Sequence, residues 1–464
     1  MVRHAELVEL DLPDFGYPTF EPKLSPKLYL NRLQKLRNKC KDVYSHMVVY
    51  GDREHMANIS YLTGYDPRFE EALLIVDIEK DKQNILVGNE GIGYLDISPI
   101  KEHLKPVLYQ PFSLLAQPRN KSKPLKQIFE GIGITINSSI GIAGWKYYTK
   151  QETSAPEKWI ESPSYIVDTL RSITNDVTNA TEIFMHQTEG LRATNELEQL
   201  AVMEYSATLA STAVKNALFG LWPGMTEHQI VQLMRLNGYP QSVHLMLSTG
   251  ERAWLGLPSP KDKLIERGEP FTTAVGLWGA LSCRAGWLVE HESELPKNIS
   301  DYLEKLAVPY FETAVAWQET LRIGVTGGEL YKVVHDRIGD PFFGVNLNPG
   351  HLIGLDEWIN SPIYEGSTDK IKSGMALQLD IIPATGGDYF TINTEDGFAI
   401  GDKEIRNDFK EHYPEAWSRI TARRDYMKDQ LGIRLQPEVL PFSNLAGHLS
   451  PFILNPRRVF RMIE

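Results

Sequence analysis

The chain has 464 residues, 42% of them hydrophobic and 23% charged, and its 48 Lys and Arg against 60 Asp and Glu give a formal net charge of −12. At about 150 residues per domain, that length predicts two or three domains. The balance of apolar and charged residues excludes a disordered or collagen-like chain. An acidic total argues against nucleic acid as a partner. No run approaches the ~18 uncharged apolar residues of a membrane span. With two cysteines, Cys40 and Cys283, neither a disulfide framework nor a thiolate zinc cluster is expected. No apolar run follows Arg3, so no signal peptide is read and the cytoplasm is the expected compartment.

Residues 1–30 are rich in Pro and aromatics and predict an extended arm. Leu30, Leu33 and Leu36 fall at helical spacing. The short apolar runs HMVVYG, EALLIVDI, QNILVGN and IGIAGW follow, each bounded by turn residues, and predict strands. Residues 31–180 therefore read as a small α/β domain. A long helical pattern then ends at WPGMTEHQI, where Pro-Gly stops one helix and Thr226 starts the next. The strand-like runs SVHLMLSTG, FTTAVGLWGALSCRAGWLV, MALQLDIIPA and YFTINTEDGFAIG come after it, with a helical stretch at 298–322 between the second and third. Long strands flanked by helices predict an α+β second domain over 181–405. Residues 406–464 add a helix and a Pro-rich tail expected to pack on it.

These segments, in this order, resemble the creatinase/aminopeptidase P/prolidase family, whose catalytic domain is called the pita-bread fold. MANISYLTGYDPRFEEALLIV (56–76) is similar to its N-terminal domain, in which a strand and turn precede a hydrophobic strand. STGERAWLGLPSPKDKLIERGEPF, GHLIGLDEW, SGMALQLDIIPA and TINTEDGFAI are similar to the segments that carry its metal ligands. The resemblance covers most of residues 45–402. It implies a small α/β domain followed by a pita-bread domain, a homodimer, and an Xaa-Pro aminopeptidase or creatinase-like hydrolase.

The resemblance also implies five ligands for two divalent ions: Asp, Asp, His, Glu and Glu. Here the first Asp position reads Ala274 and the second reads Cys283, after Ser282. His351 and Glu395 are retained, and the first Glu is shortened to Asp380. Two auxiliary histidines of the family fall at Leu257 and Trp358. What remains is either a site for one ion (Mn, Co or Zn) on His351, Asp380 and Glu395, or hydrogen-bonded remnants with no cofactor. The same three residues are the catalytic candidates.

Other residues have two readings each. Cys283 is a nucleophile or an inert buried thiol. Arg284 lies in an apolar strand and either neutralises Asp380 or Glu395, or binds a substrate carboxylate by two prongs. His244 is a substrate-facing residue or a satisfied core histidine, and Trp358, with Trp254, Trp278 and Trp287, lines or fills the former pocket. Arg68 either reaches a partner subunit's site or is a plain surface residue. Two functions follow from this pattern. One is a hydrolase of a small amide, amino-acid or peptide-like substrate that lacks the two-metal mechanism. The other is an inactive homologue whose cleft binds a small ligand or short peptide.

Overall fold

The computed structural model describes residues 3–464. The described chain opens on strand β1 (His4–Glu9), which pairs antiparallel with a strand of the C-terminal segment, His4 opposite Ile463 and Glu9 opposite Arg458. The expected arm of residues 1–30 is corrected at both of its ends. Residues 4–9 are a sheet strand, and Ser25 already caps the first helix (Pro26–Cys40), its Oγ accepting the Leu28 N–H.

Two compact units follow, one of residues Leu24–Ala193 and one of residues 3–23 with 194–464. The first holds a sheet ordered β5-β4-β3-β2-β6-β7. Its strands are β2 (His46–Gly51), β3 (Ala72–Asp77), β4 (Lys82–Val87), β5 (Lys105–Leu108), β6 (Ile140–Ala143) and β7 (Val177–Asn179). β2 and β3 are buried along their whole length, which is why they read as unbroken apolar runs and not as alternations. Residues Ala57–Thr63 form a helix, stopped by Gly64 in the left-handed region, and not the expected strand. All seven are buried, so no polar face betrays the helical period. This unit extends past residue 180 because Tyr61 Oη donates to the Leu191 carbonyl (2.8 Å) and Arg192 donates to Asn58 (3.0 Å).

The second unit is built on a sheet ordered β11-β12-β13-β10-β9-β8, with β14 also on β13. The strands are β8 (Met246–Thr249), β9 (Pro270–Leu277), β10 (Ala280–Trp287), β11 (His351–Leu352), β12 (Ala376–Asp380), β13 (Asn393–Ile400) and β14 (Val439–Pro441), and β15 (Arg458–Ile463) is the partner of β1. Trp278 and Gly279 alone connect β9 to β10, and Gly279 takes φ +89°. That two-residue turn fixes the register of the hairpin. The helix Leu197–Gly220 packs on β9 and β10, and Thr226 starts the next with a complete capping box to Gln229. From the helix Pro414–Asp429, Arg419 and Arg423 reach the fully buried Glu204 at 2.5 and 2.8 Å, joining the C-terminal segment to the first helix of this unit.

His448 in the same segment is buried, with Nε2 2.8 Å from the Pro456 carbonyl and Nδ1 2.7 Å from Tyr426 Oη. The carbonyl only accepts, so Nε2 carries the hydrogen and Nδ1 accepts from the phenol. Burial pushes the imidazole down to about 4. The unfolded ring titrates near 6.5, so between those values the unfolded chain binds the extra proton. The contribution is present above pH 6.5 and is lost as pH falls toward 4. Denaturation at pH 7.5 and 4.5 is expected to show wild type losing about 2–3 kcal/mol more than His448→Gln over that interval. Equal losses would show that the ring is not held neutral.

Candidate functional site

One row of residues runs straight across the second unit's sheet. Ala274 on β9 stands opposite Cys283 on β10, Cys283 opposite Glu395 on β13, and Glu395 opposite Asp380 on β12. Directly opposed residues of antiparallel strands project to the same face. The row therefore presents a methyl group, a thiol and two carboxylates side by side. His351 on β11 stands opposite Gln378, two residues from Asp380 and so on the same face.

These side chains converge. His351, Asp380 and Glu395 are all buried, and one ligand atom from each lies within 4.8 Å of the others. His351 Nε2 is 3.4 Å from Glu395 and 3.9 Å from Asp380. Cys283 donates its S–H to the other Glu395 oxygen at 2.9 Å. Glu357 approaches His351 Nε2 at 3.5 Å, and the Trp358 ring stacks on the imidazole with centroids 4.2 Å apart. Both belong to the loop that leaves β11 and returns to it through the Leu352–Asn360 bridge.

The electrostatics are those of an acidic pocket short of positive charge. Burial first, then the neighbouring acids, pushes Glu357, Asp380 and Glu395 each up to about 7. Among the described residues no Lys or Arg forms an ion pair with any of the three. The imidazole Nδ1 lies 3.2 Å from the Leu352 carbonyl. The carbonyl only accepts, so Nδ1 carries a hydrogen and Nε2 is the nitrogen that faces the carboxylates. Asp380 Oδ1 is buried without a hydrogen-bond partner. One imidazole nitrogen and two carboxylates, with an orphaned Asp380 oxygen among them, fit a single divalent cation. The other two members of the row, the Ala274 methyl group and the Cys283 thiol, add no carboxylate to that set.

Arg284 needs correction. It does not reach Asp380 or Glu395, nor is it placed for a substrate carboxylate. Its guanidinium pairs with Asp396 at 3.0 Å, both side chains about 3% exposed, and also donates to the Leu445 and Cys283 carbonyls. Neighbouring residues on a strand alternate faces, so Arg284 and Asp396 meet behind the row that Cys283 and Glu395 form in front.

His244 is neither in the core nor in the cluster, since its exposed ring donates to the Leu257 carbonyl at 2.9 Å. Arg68 is held by both oxygens of Asp66 in the other unit. Trp254 and Trp287 both meet Phe390 edge-on. Burial pushes the Cys283 thiol well up, which favours an inert thiol over a nucleophile. Glu357 was missed by sequence reasoning. The available signal was an acid one residue before an expected histidine.

This is the pita-bread architecture of prolidases, Xaa-Pro dipeptidases and X-Pro aminopeptidases. In particular, the fold matches the prolidase of Pyrococcus horikoshii OT3, with a TM-score of 0.60 and 16% identity over 80% of this chain and 95% of that one. It also matches the Xaa-Pro dipeptidase of Bacillus anthracis, with a TM-score of 0.59 and 14% identity over 81% and 96%. In sequence the chain is 24% identical over 241 residues to an uncharacterized peptidase, YqhT, of Bacillus subtilis (strain 168). That match spans 48% of this chain and 65% of the relative. No family profile matches the chain. Among the described residues no helix is long and apolar enough to cross a membrane.

Proposed function

We propose that the chain is a divergent hydrolase of small amide, amino-acid or peptide-like substrates, with a centre for one divalent ion on His351, Asp380 and Glu395. The observation that supports this best is the convergence of three buried donors around an unpartnered Asp380 oxygen. A divalent ion held there would polarise a carbonyl and acidify a water. The protein's own groups have separate duties. Cys283 holds Glu395 in position by its S–H, and Trp358 fixes the plane of His351. Glu357 keeps a side chain 28% exposed and connects the buried cluster to solvent. His244 and Trp358 are the residues offered to substrate, and Arg68 is offered to the site of a partner subunit. The same reading takes the molecule as a cytoplasmic homodimer whose partners are small molecules or short peptides, with no nucleic-acid or membrane partner.

One observation favours the second reading, a cleft that binds without turnover. Trp358 stacks on His351 and Leu257 is exposed, at the two positions where the family resemblance implies auxiliary histidines. The test is a panel of short peptides and amides offered to protein loaded with manganese, cobalt or zinc. Xaa-Pro dipeptides with manganese are expected to survive intact. Turnover of another amide, abolished in Glu395→Gln, supports the hydrolase. Saturable binding across the panel without any product supports the binder.

A further inference from the structure

The first unit carries a cavity of about 570 Å³ that the hydrolase reading does not use. Its walls are Tyr65, Phe69 and Tyr94, with Glu70, Glu90 and the backbone of Gly91. Tyr65 and Tyr94 meet edge to face at 5.7 Å, and Phe69 is 58% exposed. No basic side chain lines it, and the nearby Arg68 is engaged by Asp66.

Glu70 is the decisive residue. It is 5% exposed, and its Oε2 accepts the Glu90 and Gly91 N–H groups at 3.0 and 2.8 Å. Gly88 leaves room for that oxygen, since a Cβ there would fall 2.5 Å from it. Oε1 has no partner. Closing the 88–91 turn takes one acceptor, which a glutamine would supply equally well. Glu70 lines the aromatic-walled cavity while its Oε1 lies buried without a partner, a costly arrangement unless a cation meets the carboxylate.

We infer that this cavity binds an organic ammonium group. Ring faces attract diffuse cations, and a buried carboxylate supplies the counter-charge. A bare metal ion fits less well, because two carboxylates among three rings do not make an oxygen-rich shell.

The probe is tetramethylammonium chloride, titrated into the full chain at constant ionic strength and followed by NMR. tert-Butanol, of similar shape and no charge, is the comparison. Saturable binding of tetramethylammonium alone is expected. Glu70→Gln, which keeps the turn's acceptor, is expected to weaken it about tenfold or more. Tyr94→Ala removes a ring without touching the Glu70 hydrogen bonds and is expected to weaken it severalfold. The inference is overturned if neither compound saturates, if both bind alike, or if Glu70→Gln leaves the affinity unchanged.

Discussion

Purified protein is expected to take up one divalent ion per chain, and His351→Ala none. The ligand atoms of His351, Asp380 and Glu395 already lie within 4.8 Å of one another. Burial, and the acid beside each of them, pushes the Asp380 and Glu395 carboxyls up to about 7. Bound cation replaces those protons, so uptake should release acid and strengthen as pH rises through that range. Removing the imidazole leaves two mutually repelling carboxylates and no nitrogen ligand. Elemental analysis after dialysis against manganese, cobalt and zinc measures the stoichiometry. A thermal scan provides a second readout: at a hundred times Kd, ligand adds about 2.7 kcal/mol to the folded state. Two equivalents in wild type would sink the single-ion centre. No uptake under any condition would leave a metal-free enzyme or a binder.

The converse experiment rests on the sheet register. Ala274 and Cys283 stand in the row with Glu395 and Asp380, so Ala274→Asp with Cys283→Asp should raise the stoichiometry from one ion to two. Both positions are 7% exposed. Without metal, the new carboxylates add to a group already starved of positive charge, and a loss of at least about 3 kcal/mol is expected. Manganese should restore that loss in the double variant, over and above the gain that wild type shows from its single ion. If the variant still binds a single ion, positions 274 and 283 do not face the same space as the triad.

Much of this was legible in the sequence, for identifiable reasons. β2 and β3 announced themselves as apolar runs bounded by turn residues. The triad was found because three short motifs kept their order. The partner of Arg284 was misread even though the rule that decides it was available. Alternation puts Cys283 and Arg284 on opposite faces, and applied equally to Glu395 and Asp396 it gives the observed pairing. For Glu357 the one signal was its place just before Trp358, and the returning loop that brings it to His351 was not legible. β1 could not be anticipated either, because its partner lies about 455 residues away, as the Arg461–Glu6 contact shows.

That last pairing bears on how the chain is made. A ribosome adds roughly 5–20 residues per second, so β1 emerges between about 20 and 90 seconds before the strand that completes it. Residues 24–193 can fold during that wait, because their sheet draws on no later segment. The second unit cannot close until β15 is out, and until then β1 is an unpaired edge. Slowing translation should therefore lengthen the period in which nascent chains need a chaperone to shield that strand, without altering the folding of the unit made first.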